Sequence, residues 1–135
     1  MIKTQLESIR RVCSDLGLPE GNSYTQDWAY ELPEEFRTEV VFYKYIDAYD
    51  NPTYGDPERH LLMDLLLDIA NDLLQQDENV GEKAWYALAN ILHMRPDLHR
   101  NQIEYWAVAG EDLEDAFALT PLVREFCNEN RIDIG

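Results

Sequence analysis

Hydrophobic positions recur at helical spacing along nearly the whole chain. Ile2, Leu6, Ile9, Val12, Cys13 and Leu16 mark a first helix, and Gly17 supplies its C-terminal stop. A loop from Leu18 to Ser23 and a short turn around Trp28 follow. Pro33 reads as the first position of a second helix running to Tyr49, with Glu34 and Glu35 in the first turn, where carboxylates suit the helix dipole. Phe36, Val40, Tyr43 and Ile46 fit its period, which puts Tyr43 on an inward face with Phe36 and Val40. The run Val40–Ile46 also has strong β propensity, so an edge strand stays open as the alternative.

Turn residues fill Tyr49–Gly55, and Asp56-Pro57 forms the next helix start, with Asp at the N-cap and Pro in the first turn. From Pro57 to about Gln76 the apolar residues cover an arc of about 240°, as expected of a central helix packed on by others. His60, Asp64, Asp68, Asn71, Asp72 and Gln75 occupy the remaining stripe, which is expected to face solvent. Asp77-Glu78-Asn79 makes a polar break. Further helices are predicted over Val80–Met94, around Ile103, Trp106 and Ala107 to about Ala109, over Asp112–Ala118 and over Pro121–Asn130. No strand pair competes. The pattern predicts an all-α fold: one domain, 1–135, a compact bundle of about six or seven helices around the central helix 57–76.

Composition agrees with a packed core. The chain is 45 % hydrophobic and 11 % aromatic, so its high charge does not signal disorder. No apolar run approaches the roughly 20 residues of a membrane span. The start lacks the apolar core of a signal peptide, which makes the cytoplasm the expected location. Cys13 and Cys127 sit among apolar neighbours in helical patterns and are expected to be buried free thiols.

Charge changes the picture most. The formal net charge is −16, and residues 45–82 hold ten carboxylates against one cation, Arg59. Such a surface repels nucleic acid and anionic lipid and steers basic surfaces toward it. Asp64, Asp68 and Asp72 recur at i, i+4 and i+8 on one helix face. They read as a solvated face or a row of acceptors for a basic partner. Metal binding fits them less well, because ligands usually converge from more than one element. A second acidic block, Glu111-Asp112-Leu113-Glu114-Asp115, lies at a helix start, where the dipole accounts for part of it.

Familiar catalytic patterns are missing. The six glycines are scattered and build no phosphate loop, and neither cysteine has a nucleophile signature around it. His60 lies one turn before Asp64 but reads as the edge of the polar stripe; His93 and His99 bracket Pro96. No catalytic, cofactor or metal residue is assigned, and an enzyme is not expected. Tyr43, Tyr45, Tyr49 and Tyr54 interleave with Asp47, Asp50 and Asp56 at the second helix's end and in the following loop. Rings joined to carboxylates suit a partner surface, since tyrosine anchors interfaces. A ring of tyrosines closing the core is the plainer alternative.

In size, acidity, helicity and lack of catalytic motifs, the chain resembles the small all-helical immunity proteins of contact-dependent and related bacterial toxin systems. The features that carry the resemblance are Asp47-Ala48-Tyr49-Asp50, Asp56 and the Asp64/Asp68/Asp72 row. It implies a monomer that pairs with a basic toxin, most concretely a nuclease, and occludes the toxin's cationic substrate cleft. The expected partner-binding residues are Asp47, Tyr49, Asp50, Tyr54, Asp56, Asp64, Asp68 and Asp72. A nucleic-acid mimic of the antirestriction or CRISPR-blocking type, and a helical adaptor domain, are the alternatives.

Overall fold

Side-chain caps and left-handed turns set where the helices begin and end. The computed structural model describes residues 3–19, 32–108, 112 and 116–132. Among them are six α-helices and no strand: α1 (Lys3–Leu16), α2 (Glu39–Tyr49), α3 (Asp56–Gln76), α4 (Glu78–Met94), α5 (Arg100–Ala107) and α6 (Thr120–Glu129). The all-α class is therefore as the hydrophobic period predicts. Helix α1 stops where Gly17 takes φ +68° and the Leu18 N–H donates to the Cys13 carbonyl at 2.9 Å, a Schellman closure. The Thr38 hydroxyl accepts from the Val41 N–H to start α2, and the Asp77 carboxylate accepts from the N–H groups of Asn79 and Val80 to start α4.

Several boundaries differ from expectation for visible reasons. Pro33 opens only a single 3₁₀ turn, Glu34–Phe36, because Thr38 claims the N-cap and restarts the backbone as α2. The run 40–46 is helical throughout, with Phe42, Tyr45 and Tyr49 buried at i, i+3 and i+7. That register turns the predicted face around: Val40 and Tyr43 point outward. The Gly55 carbonyl accepts from the Arg59 N–H, so Asp56 falls inside α3 rather than at its cap. Of the segment 112–118, the described residues Asp112 and Ala116–Ala118 are not helical. The turn around Trp28 lies outside the described residues.

The chain divides into two compact units, Met1–Ile69 and Ala70–Gly135, with the boundary inside α3. In the first unit the core is built from Ile9, Val12 and Cys13 of α1, the inner face of α2, and Leu62, Met63, Leu65, Leu66, Leu67 and Ile69 of α3. Burial of Leu65, Leu66 and Leu67 in succession means that this part of α3 is enclosed on most sides. In the second unit Trp85 meets Phe126 edge-to-face at 6.0 Å, with Leu88, Leu92, Ile103, Trp106 and Val123 also buried. The Arg124 guanidinium donates to the carbonyls of Ala107 (2.7 Å) and Val108 (2.5 Å), satisfying the end of α5, where Val108 takes φ 46°. The buried Asn71 side chain accepts from the Leu119 N–H at 3.0 Å, and the buried His99 and Gln102 side chains share a 2.6 Å bond.

Helices α3 and α4 approach closely at Gly81. A Cβ there would lie 2.5 Å from the backbone N and Cα of Leu74, closer than side-chain rotation can relieve. Gly17 has open space around its missing Cβ and needs only its positive φ. Gly17→Ala should therefore cost about 1 kcal/mol of backbone strain, whereas Gly81→Ala forces the helices apart and should cost about 3 kcal/mol. Urea denaturation of the two variants checks this; equal costs would mean that the α3–α4 approach is not tight.

Candidate functional site

Three arginines of the first unit organise its acidic face, Arg37 buried, Arg59 partly buried and Arg11 at the surface. Arg59, the sole cation of residues 45–82, sits in the first turns of α3 and reaches back over the preceding loop. Its guanidinium donates to the carbonyls of Tyr49 (3.1 Å), Asn51 (3.0 Å) and Tyr54 (2.6 Å), and it lies 5.8 Å from the Tyr49 ring centroid. Arg11 of α1 holds the same loop from the other side. It donates to the Thr53 carbonyl (3.0 Å) and hydroxyl (2.5 Å), pairs with Glu58 at 3.1 Å and stacks 4.8 Å over the Tyr54 ring. Asn51 adds an Asx turn, its side chain accepting from the Thr53 N–H at 2.9 Å. The loop between α2 and α3 is thus pinned by cation-to-carbonyl bonds on both sides.

Arg37 supplies the third contact. Its side chain is buried and pairs with Asp68 of α3, itself only 16 % exposed. Beside it, the Tyr45 hydroxyl donates to the Phe36 carbonyl at 2.8 Å. Burial pushes the Tyr45 phenol up to about 12, partly offset by Arg37. Tyr54 also rises to about 12, first through burial and then because its hydroxyl donates to the Asp15 carboxylate at 2.7 Å.

The expected partner residues fall into three groups. Asp47, Asp50 and Asp56 are exposed. Tyr49 and Tyr54 are buried, so their rings close the core and meet the loop network through the arginines that lie over them. Asp64, Asp68 and Asp72 are all half-buried; they form no continuous solvent stripe, because Arg37 covers Asp68 and neighbouring Asn71 is buried. The exposed ring on α2 is Tyr43, whose edge meets Phe42 at 5.1 Å. Sequence reasoning missed the arginines. Arg59 carried a signal, being a lone cation within an acidic run; Arg11 and Arg37 carried none, since only the tertiary fold brings them to their carboxylates.

With these cations engaged, the outer surface is one-sided. Among residues 7–19 and 32–69, Glu7, Asp15, Glu34, Glu35, Glu39, Asp47, Asp50 and Asp56 are exposed, against the exposed cations Arg10 and Lys44. Elsewhere, Cys13 and Cys127 are buried free thiols, as expected, and burial pushes the Cys127 thiol up, disfavouring the thiolate. No group of three or more His, Cys, Asp or Glu among the described residues is placed to hold a metal ion. No helix of the described residues is long and apolar enough to cross a membrane. The chain matches no protein-family model, no curated protein and no solved structure.

Two predictions follow from the inward groups. Arg37→Leu removes the guanidinium partner of a largely buried Asp68 and should cost about 3–5 kcal/mol, much of it regained in Arg37→Leu/Asp68→Leu, where no charge is left behind. Urea midpoints of the two variants read this directly; a double variant as unstable as the single would rule out charge burial as the cause. The phenols of Tyr45 and Tyr54 stay protonated to about pH 12 when folded but ionise near pH 10 when unfolded. Their contribution is therefore intact below pH 10 and drains as pH rises from 10 to 12, at up to about 1 kcal/mol per pH unit for each ring. Tyr45→Phe/Tyr54→Phe should flatten that decline, and a slope unchanged by the substitutions would contradict it.

Proposed function

We propose that the chain is an immunity-type protein that binds a basic bacterial toxin, most concretely a nuclease, and neutralises it by covering its cationic cleft. The observation that supports this reading is the sorting of charge in the first unit, where Arg37 and Arg59 are spent on internal contacts and, among residues 7–19 and 32–69, exposed carboxylates outnumber exposed cations eight to two. A pinned acidic loop is also preorganised, so binding loses little loop entropy. Inhibition needs no chemistry from this chain: Asp47, Asp50 and Asp56 supply long-range attraction, and close packing then excludes the substrate. Action in the cytoplasm, where a nuclease would meet its substrate, belongs to the same proposal. A nucleic-acid mimic is less favoured, because it would require the Asp64/Asp68/Asp72 row to face outward, and all three are half-buried.

Growth rescue against any toxin domain encoded beside this gene, together with co-purification of the two chains, tests the proposal. Protection and a stable complex are expected; no binding and no protection would overturn it. Within such a complex, Asp→Asn at 47, 50 and 56 together should slow association about tenfold at low salt and much less at high salt, leaving dissociation nearly unchanged. Stopped-flow mixing measures both rates, and an unaltered association rate would move the steering charge to other carboxylates.

A further inference from the structure

The outward face of α2 is more than a strip of charge. Val40 is 69 % exposed and Tyr43 37 %, two of the few large apolar side chains among the described residues that the fold leaves outside. Val40, Tyr43 and Asp47 follow one another at i, i+3 and i+7, with Glu39 and Asp50 also exposed on this side and Lys44 at its edge. The opposite face is closed by Phe42, Tyr45 and Tyr49, so α2 cannot rotate to hide its outer residues without losing its core contacts. The Tyr43 and Phe42 rings meet edge-to-face, and partial burial and then the neighbouring Glu39 carboxylate raise the Tyr43 hydroxyl above its ordinary pKa. A partly covered tyrosine beside an exposed valine, rimmed by acids, has the make-up of an interface centre with a polar rim.

Resting on the basic-partner reading, we propose that the Val40–Tyr43–Asp47 face of α2 is the docking surface, and that its occupant is a protein surface with an apolar centre flanked by lysine or arginine. Charge complementarity selects the occupant. Glu39, Asp47 and Asp50 would repel a nucleic acid or an anionic bilayer, and an apolar centre gives a purely basic, fully solvated surface nothing to hold. The other exposed aromatics, Tyr86 of α4 and Tyr105 of α5, do not fit this occupant equally. Tyr86 shares its helix face with Lys83, Asn90 and His93 and a single, partly covered carboxylate, Glu82, and Tyr105 shares its short helix with Arg100 as well as Glu104. The α2 face thus divides the work. Its carboxylates speed the encounter, and Val40 and Tyr43 hold the complex once formed.

The probe is a synthetic amphipathic helix of about twenty residues, long enough to stay helical, with a leucine stripe flanked by lysines. Two counterparts carry glutamate in place of lysine or serine in place of leucine. Amide chemical-shift mapping on the intact chain should concentrate changes at residues 39–50 for the lysine–leucine helix and show none there for either counterpart. Val40→Ser/Tyr43→Ser, at positions already exposed, should keep the fold and weaken binding at least about tenfold, while Tyr86→Ser leaves it unchanged. Shifts spread over every acidic segment, or binding indifferent to Val40 and Tyr43, would overturn the docking face. The outcomes also separate this inference from the toxin reading. Binding on α2 with no protection from a toxin would keep the face and remove the immunity role; protection that survives Val40→Ser/Tyr43→Ser would do the reverse.

Discussion

Arg59 is the contact on which the first unit's surface depends. One guanidinium satisfies three carbonyls at the junction of α2 and α3, where the end of a helix and a tight loop would otherwise present acceptors with no intrahelical donor. A guanidinium suits this task because its planar fork holds several donors in fixed directions and remains charged at every relevant pH. Arg11 fastens the far side of the loop to α1, and Arg37 ties the approach to α2 onto α3. Three connections between elements are thereby made by cations, and two of the cations, Arg37 and Arg59, are drawn in from the surface to make them.

The electrostatic consequence follows from the mechanical one. A chain of formal charge −16 that places arginines in internal contacts leaves an outer surface still more acidic than its composition suggests. Self-repulsion among those carboxylates opposes folding. The apolar interior of α3 and the inward ion pairs offset it, so an acidic face can be both dense and fixed. Density without fixity would attract a partner but lose affinity to ordering on contact. Attraction and preorganisation therefore have one source.

Much of the fold was legible in the sequence, because helical periodicity depends on local spacing. The long apolar arc of α3, the Gly17 stop and the presence of helices at α4 and α6 all follow from it. The run 40–46 shows how period outweighs residue propensity: β-rich side chains form a helix because Phe42, Tyr45 and Tyr49 bury on one side at helical spacing. The same element shows the limit. Counting the period from Phe36 places Tyr43 inside, but Thr38 restarts the helix and breaks the register, so Tyr43 faces out and Tyr45 in. At the candidate site, the exposure of Asp47, Asp50 and Asp56 could be read from their place at a helix end and loop. The burial of Tyr49 and Tyr54 and the covering of Asp68 could not, since the first follows from the register of α2 and the packing of the loop, and the second from Arg37, distant in sequence, whose long stem spans the gap.

Selective modification of arginine by phenylglyoxal, read residue by residue with mass spectrometry at mildly alkaline pH, tests the inward cations most directly. Arg10, Arg100 and Arg131 are exposed and should react quickly in the folded chain, whereas Arg37 and Arg59 should resist until denaturant unfolds it. Reaction of Arg37 and Arg59 at the rate of the exposed arginines would contradict the account, because it would place those guanidinium groups in solvent instead of on Asp68 and on the loop carbonyls.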